Sequence, residues 1–259
     1  MKSWALITGA STGIGKELCY LFAKDHINLI LCSRNEIKLN DLAKELSEAF
    51  SIEVLVYPCD LGSADGSLNL VQFIQQKNLS LDFLVNNAGV GTHGVFQDIP
   101  WEEEQRMIQL NITSLTYLLK IFIPEMLKRK KGKILNVAST GAFQAGPKMS
   151  TYCATKAFVL SLGEALSEEL TGSDVTLTTL CPGPTETEFF KTAKMTHHKL
   201  VSSESFVMMT PKEVAHIGYK AMCKSKPLVI AGLLNQIVAF SNRFVPRTVS
   251  AKIAHRLLK

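Results

Sequence analysis

Tyr152-Cys153-Ala154-Thr155-Lys156 sets a phenol and an ammonium four residues apart, which puts both on one face of a helix. An unperturbed tyrosine titrates at roughly pH 10 and is a poor base at neutral pH. A neighbouring ammonium favours the phenolate, lowers that value and makes the group usable for general acid–base work. By itself the pattern is common on the surfaces of helices, so its meaning depends on what accompanies it. Near the start of the chain, Thr8-Gly9-Ala10-Ser11-Thr12-Gly13-Ile14-Gly15 has the spacing G-x-x-x-G-x-G. It follows the apolar run Trp4 to Ile7 and opens a helical pattern at Ile14, Leu18, Leu21 and Phe22. Glycines admit positive φ and close backbone approach, and the helix start behind them offers free N–H groups to an anion. A dinucleotide pyrophosphate is the ligand such a turn holds best. Arg34 stands nineteen residues beyond Gly15, where an acidic residue would grip the adenosine ribose of NAD, and Cys32, Ser33 and Arg34 include no acid. A guanidinium suits a 2′-phosphate instead, so NADP is favoured over NAD.

Strands must hold these residues. Apolar runs read as strands at 27–32, 52–57, 81–85, 133–138, 175–181 and 228–231, in addition to the first. Helical spacing follows Ile37, covers about 68–76, runs from Trp101 to about Lys130 as two helices, and covers 152–170. A last helix begins at Pro211, a residue suited to a first helical position. Alternating strands and helices predict an α/β fold: a three-layer Rossmann domain with a doubly wound parallel sheet of about seven strands, spanning residues 1–259. Ligands in such sheets bind beyond the carboxyl ends of the strands. The glycine turn, Arg34, Asp60, Asn87, Ser139 and Pro182-Gly183 all stand at those ends and are expected to converge on one crevice.

With 46% hydrophobic and 20% charged residues, the composition is that of an ordinary globular protein with a full core. The first strand begins almost at Met1, so a cytoplasmic location is expected, and six cysteines without C-x-x-C spacing read as reduced thiols. Neither a metal nor a nucleic-acid partner is expected. After Glu213 there is no Asp or Glu, while eight Lys and Arg follow; taking these from the net charge of +5 leaves −3 for residues 1–213.

Taken together, these motifs resemble the short-chain dehydrogenase/reductase family from Thr8 to about Ala231. T-G-x-x-x-G-x-G, N-N-A-G at Asn86 to Gly89, Ser139 thirteen residues before Tyr152, Y-x-x-x-K, and P-G-x-x-x-T at Pro182 to Thr187 match in order. Within the family the chain is similar to the DltE-type branch. The resemblance implies that Tyr152 is the proton donor to a carbonyl oxygen held by Ser139, and that Lys156 binds the nicotinamide ribose and lowers the tyrosine pKa. It further implies that Asn111 anchors a water joining the lysine to solvent. For the cofactor it implies Gly9, Ser11, Thr12, Gly13, Ile14 and Gly15 at the pyrophosphate, Arg34 at the 2′-phosphate, and Asp60 with Leu61 at the adenine. Asn87 and Ala88 then flank the adenine ribose, Thr185 and Thr187 fix the carboxamide, and Gly89, Pro182 and Gly183 complete the cofactor site. One departure stands out: Thr12 occupies a place where many NADP-using members carry Lys or Arg. The activity implied is NADP(H)-linked interconversion of a carbonyl and a secondary alcohol, by a homodimer or homotetramer.

Residues 188–213 fall where the family keeps its substrate lid. Phe189, Phe190, Phe206, Met208 and Met209 suit either an apolar substrate or simple packing of the lid, and His197 and His198 read as solvated. The extension 232–259 repeats apolar residues at three and four residue spacings between basic ones. It suits peripheral contact with an anionic membrane, an acidic carrier protein or a second subunit. Two rival readings follow: a membrane-surface reductase of lipid-like or 3-oxoacyl substrates, and a non-catalytic NADP-binding protein. The second ordinarily lacks the tyrosine or the lysine, and both are present here.

Overall fold

The computed structural model describes residues 3–189 and 208–257. Seven parallel strands form one sheet in the order β3-β2-β1-β4-β5-β6-β7: β1 Trp4–Thr8, β2 Asn28–Ser33, β3 Val54–Pro58, β4 Phe83–Asn86, β5 Gly132–Val137, β6 Val175–Cys181 and β7 Leu228–Ile230. Every strand start lies within two residues of the sequence expectation. The strands read as unbroken apolar runs because both faces are covered. Trp4, Leu6, Ile30 and Cys32 point into one core and Ala5, Ile7, Leu29 and Leu31 into the other.

On the second face lie α1 Gly13–Lys24, α2 Glu36–Phe50 and α7 Pro211–Cys223, and on the first α3 Gly66–Gln76, α5 Leu115–Arg129 and α6 Ser150–Glu169. Phe22 of α1 is fully buried, edge-on to Phe83 and Tyr219 at 5.2 and 4.8 Å, and so ties α1 to β4 and α7. α7 starts at Pro211 as expected, behind a capping box in which the Thr210 hydroxyl accepts from the Glu213 N–H and the Glu213 carboxylate accepts from the Thr210 N–H.

The two helices expected over 101–130 are α4 Trp101–Ile108 and α5, joined without a break by one wide turn, Gln109–Ser114, of π-helical hydrogen bonding. That run is apolar and long enough to cross a membrane, yet its Leu118, Leu119, Phe122 and Met126 are buried against the sheet. One expectation is corrected: the helix at Pro211 is not the last, for β7 is followed by α8 Leu233–Ser241 and α9 Arg247–Leu257, separated by a turn ending at Pro246.

Candidate active site

Between β1 and α1, Gly9 and Gly13 adopt φ of +66° and +57°, which side chains rarely tolerate. A Cβ on Gly9 would stand 2.8 Å from Asn87 Nδ2, one on Gly13 3.0 Å from Thr187 Cγ2, and one on Gly15 would overlap the Gly9 carbonyl oxygen. Thr8 fastens the turn to β4: its hydroxyl donates to the Val85 carbonyl at 3.1 Å and accepts from the Asn87 and Ala88 N–H groups at 3.0 Å. The Asn87 amide donates to the carbonyls of Thr8 and Gly9. Thr12 does not cap α1 with its side chain, and the first turn holds no acid, so the helix start is left to an anion. Ser11, Thr12 and Gly13 line a cleft of about 900 Å³ whose other walls include Thr187, Glu188 and Met208. Tyr152 and Ser139 are not among its walls. Ile14 turns instead into the core beneath α1.

At the end of β2 the Arg34 guanidinium is exposed. Beside it, the buried Ser33 hydroxyl has no hydrogen-bond partner among the described residues. Asn35 accepts from the Lys38 N–H and caps α2, which fixes the backbone that carries Arg34. Beyond β3, Asp60 meets Arg106 at 2.6 Å and accepts from the Gly62 N–H at 2.9 Å. Leu61 is buried, and its carbonyl accepts from Ser114 in the π turn.

The reactive side chains gather at the carboxyl end of β5. Ser139 follows the strand in extended conformation, its hydroxyl accepting from the Gly141 N–H at 3.0 Å. On α6, Tyr152 and Lys156 share a face, with the ammonium 5.9 Å from the phenol ring centre. Lys156 is buried and donates to the Val137 carbonyl at 2.8 Å. A Cβ on Gly89 would stand 3.2 Å from Lys156 Nζ and 3.4 Å from Asn111 Oδ1, so this glycine lets the lysine and the π turn approach. Asn111 is itself buried: Oδ1 accepts from the Val90 N–H, and Nδ2 donates to the Val90 carbonyl and to the Thr155 hydroxyl.

The electrostatics differ from the sequence expectation. Burial pushes the Tyr152 phenol up, opposed by its hydrogen bond with Ser139, so the expected lowering by Lys156 does not appear in this chain. Burial also disfavours the ammonium and pushes Lys156 down to about 8.

Opposite, the Pro182 carbonyl accepts from the Thr140 N–H, which joins this loop to the segment after Ser139. Thr185 is buried and donates to the Gly183 carbonyl, while Thr187 lies against Gly13. Phe189 packs on the Tyr152 ring with centres 5.1 Å apart, and a Cβ on Gly91 would strike both rings. Phe190, Phe206, His197 and His198 lie outside the described residues. Among the described residues no group of three His, Cys, Asp or Glu could hold a metal.

Sequence reasoning missed four neighbours of the site. The Arg106 partner of Asp60, the Thr155 partner of Asn111 and the Val137 carbonyl under Lys156 are tertiary pairings with no local signal. Asn235 of α8 lies so close to Gly183 that any Cβ there would overlap it, which brings the C-terminal extension up to the loop after β6.

A family model described as short chain dehydrogenase matches residues 3–198. The Bacillus subtilis (strain 168) protein named uncharacterized oxidoreductase YvaG is 35% identical over 190 residues, 73% of this chain and 70% of the relative. A solved 7beta-hydroxysteroid dehydrogenase superposes with a TM-score of 0.86 at 26% identity, covering 98% of this chain and 96% of that one. A short-chain dehydrogenase from Sphingobium yanoikuyae, solved in complex with NADPH, gives 0.83 at 29% identity over 93% of each chain.

Proposed function

Since the chain belongs to the short-chain dehydrogenase/reductase family of oxidoreductases, we propose that it interconverts a carbonyl and a secondary alcohol on an apolar substrate with NADP(H). The observation that carries this reading is the meeting of Ser139, Tyr152 and Lys156 at the end of β5, beside an uncapped helix start and a turn with no room for side chains. These residues fit a dinucleotide: Cβ-free glycines admit a backbone-hugging pyrophosphate, and the orphaned Ser33 hydroxyl with the exposed Arg34 suits a 2′-phosphate. Bound there, the nicotinamide supplies or accepts the hydride.

The chain's own groups manage the oxygen and its proton. Tyr152, kept protonated by burial, gives its hydroxyl proton to the carbonyl oxygen as charge develops there. Ser139 donates a hydrogen bond to that oxygen and holds it against the phenol. Lys156, pinned by Val137, orients the ribose and holds positive charge behind the phenol. Asn111 keeps the π turn against Val90 and Thr155, where it would anchor a water joining the lysine to solvent. Phe189 packed on the Tyr152 ring supports an apolar substrate. The steroid dehydrogenase and the NADPH complex among its relatives support the same substrate class and cofactor. Exposed Leu127 of α5 and Phe158 of α6 support homo-oligomerisation through those helices.

Thr12, where a cation would strengthen phosphate binding, favours NAD as the second reading. The test is nicotinamide absorbance in the purified enzyme, followed across apolar ketones, aldehydes and 3-oxoacyl esters with NADPH and with NADH. Turnover of apolar ketones with NADPH is expected. Equal or better kcat/KM with NADH would select the second reading, and no turnover with any carbonyl would defeat both.

A further inference from the structure

The C-terminal hairpin is packed inside out. The buried residues of α8 and α9 are small or polar: Ala239, Ser250 and Ala254 are buried, and Asn235 lies on Gly183. Polar links pin the pair, for Ser250 donates to Asn242 Oδ1 at 2.7 Å and Asn242 Nδ2 donates to Gln144 at 3.3 Å. Large apolar side chains point away. Leu233 is 72% exposed and Phe244 74%, and Leu234, Ile237, Val238 and Phe240 between them are exposed as well. Phe240 of α8 and Phe244 of the turn that follows form an edge-on pair at 5.2 Å. A helix normally buries such residues, and a contiguous exposed set marks a surface that meets something.

Charge decides what it meets. Arg243, Arg247, Lys252 and Arg256 are exposed around the same hairpin, and the sequence has no acidic residue beyond Glu213. Two copies of this face meeting about a two-fold axis would set these cations opposite one another with no carboxylate between them. The exposed apolar positions also spread broadly around α8 rather than forming the narrow seam of a helix–helix contact. A broad apolar face flanked by cations suits the plane of an anionic bilayer, which asks for no shape match.

We propose that α8 and α9 dock the protein on an anionic lipid surface, with the apolar face of α8 in the headgroup–acyl boundary and the arginines and Lys252 against lipid phosphates. The proposal does not depend on which reaction the enzyme catalyses.

The test is co-sedimentation of the full-length protein with vesicles of phosphatidylcholine alone or of equal parts phosphatidylcholine and phosphatidylglycerol. Pelleting with the anionic vesicles is expected at low salt and release at high salt. Reversing two exposed cations, Arg247→Glu with Lys252→Glu, should weaken partitioning by about tenfold or more. Ile237→Asp should abolish it while leaving the thermal transition in place; should that variant unfold, the charge pair decides alone. Failure to pellet with anionic vesicles at low salt overturns the proposal, as does pelleting that both sets of substitutions leave unchanged. A fall in solution mass on Ile237→Asp, measured by light scattering without vesicles, assigns the face to a second copy and overturns it equally.

Discussion

A phenol pushed up by burial stays protonated through neutral pH, which suits Tyr152 to the proposed role of proton donor in the reducing direction. Tyr152→Phe keeps the ring that packs on Phe189 and removes only the proton, so turnover should fall by about 10²–10⁴ with NADPH affinity little changed. Near-normal rates in that variant would mean another group supplies the proton. In the proposed mechanism Lys156 sets the alkaline limit. Because burial lowers it to about 8, its charge is present below that pH and lost above it, so kcat/KM for reduction should decline as pH rises through that value. A profile that stays level well above it would remove the lysine charge from the mechanism. At Arg34 the question is the cofactor. Arg34→Asp removes a charge-assisted contact, about 1.5–3 kcal/mol, and sets a carboxylate against a phosphate, so the ratio of kcat/KM for NADPH over NADH should invert. A wild type that already prefers NADH would show that Thr12 was the better guide.

The turn between β1 and α1 works by what it lacks. Gly15→Ala forces a Cβ onto the Gly9 backbone carbonyl, which cannot give way as a side chain could, and should cost about 1–3 kcal/mol with loss of the thermal shift on adding NADPH. Gly172→Ala is the control: it also has positive φ, at +83°, but nothing lies within 4 Å of the new Cβ. It should carry backbone strain of roughly 1–2 kcal/mol and leave the NADPH shift intact; equal loss of that shift in both variants would show that close approach is not what Gly15 provides. Such turns were legible in the sequence because glycine is a local requirement, and the strands were legible because burial on both faces leaves unbroken apolar runs such as Leu29 to Cys32. The π turn was not legible: widening a helix at Gln109–Ser114 leaves the apolar spacing on either side intact. The break between α8 and α9 was overlooked although Pro246 marks it, because the apolar residues continue at helical intervals across the turn. Contacts such as Phe189 on Tyr152, Asn235 on Gly183 and Arg106 on Asp60 join segments far apart in the chain, so no window of sequence contains them.

Across the whole molecule the sheet is polar in its duties. Its carboxyl ends carry the proposed catalytic residues, and at the amino ends Asp82 holds the layers together. Its backbone N–H donates to the Trp4 carbonyl and its carbonyl accepts from the Lys133 N–H, linking β1, β4 and β5. Its carboxylate, 8% exposed, takes Arg129 from the end of α5 at 2.8 Å and Lys131 at 2.6 Å, and Arg129 also donates to the Leu81 carbonyl. Burial alone would raise the Asp82 pKa, but hydrogen bonds from Lys131, Arg129 and Ser3 outweigh it and hold the carboxyl below its ordinary value. A folded-state pKa depressed in this way contributes stability that is present above the unfolded value and lost as pH falls through the folded one. Asp82→Asn keeps the shape and removes the charge. Both cations it leaves behind reach solvent, so the cost should sit near that of charged hydrogen bonds, about 1.5–3 kcal/mol at neutral pH, rather than that of a sealed ion pair. Urea unfolding of the two proteins should show this gap at pH 7 and its disappearance once the wild-type carboxylate is protonated in acid. Activity per folded molecule should be unchanged, because Asp82 lies at the opposite end of the sheet from Tyr152. A gap that persists undiminished in acid would mean that Asp82 stabilises the sheet by shape and neutral hydrogen bonding, and that the ion pairs with Arg129 and Lys131 contribute nothing net.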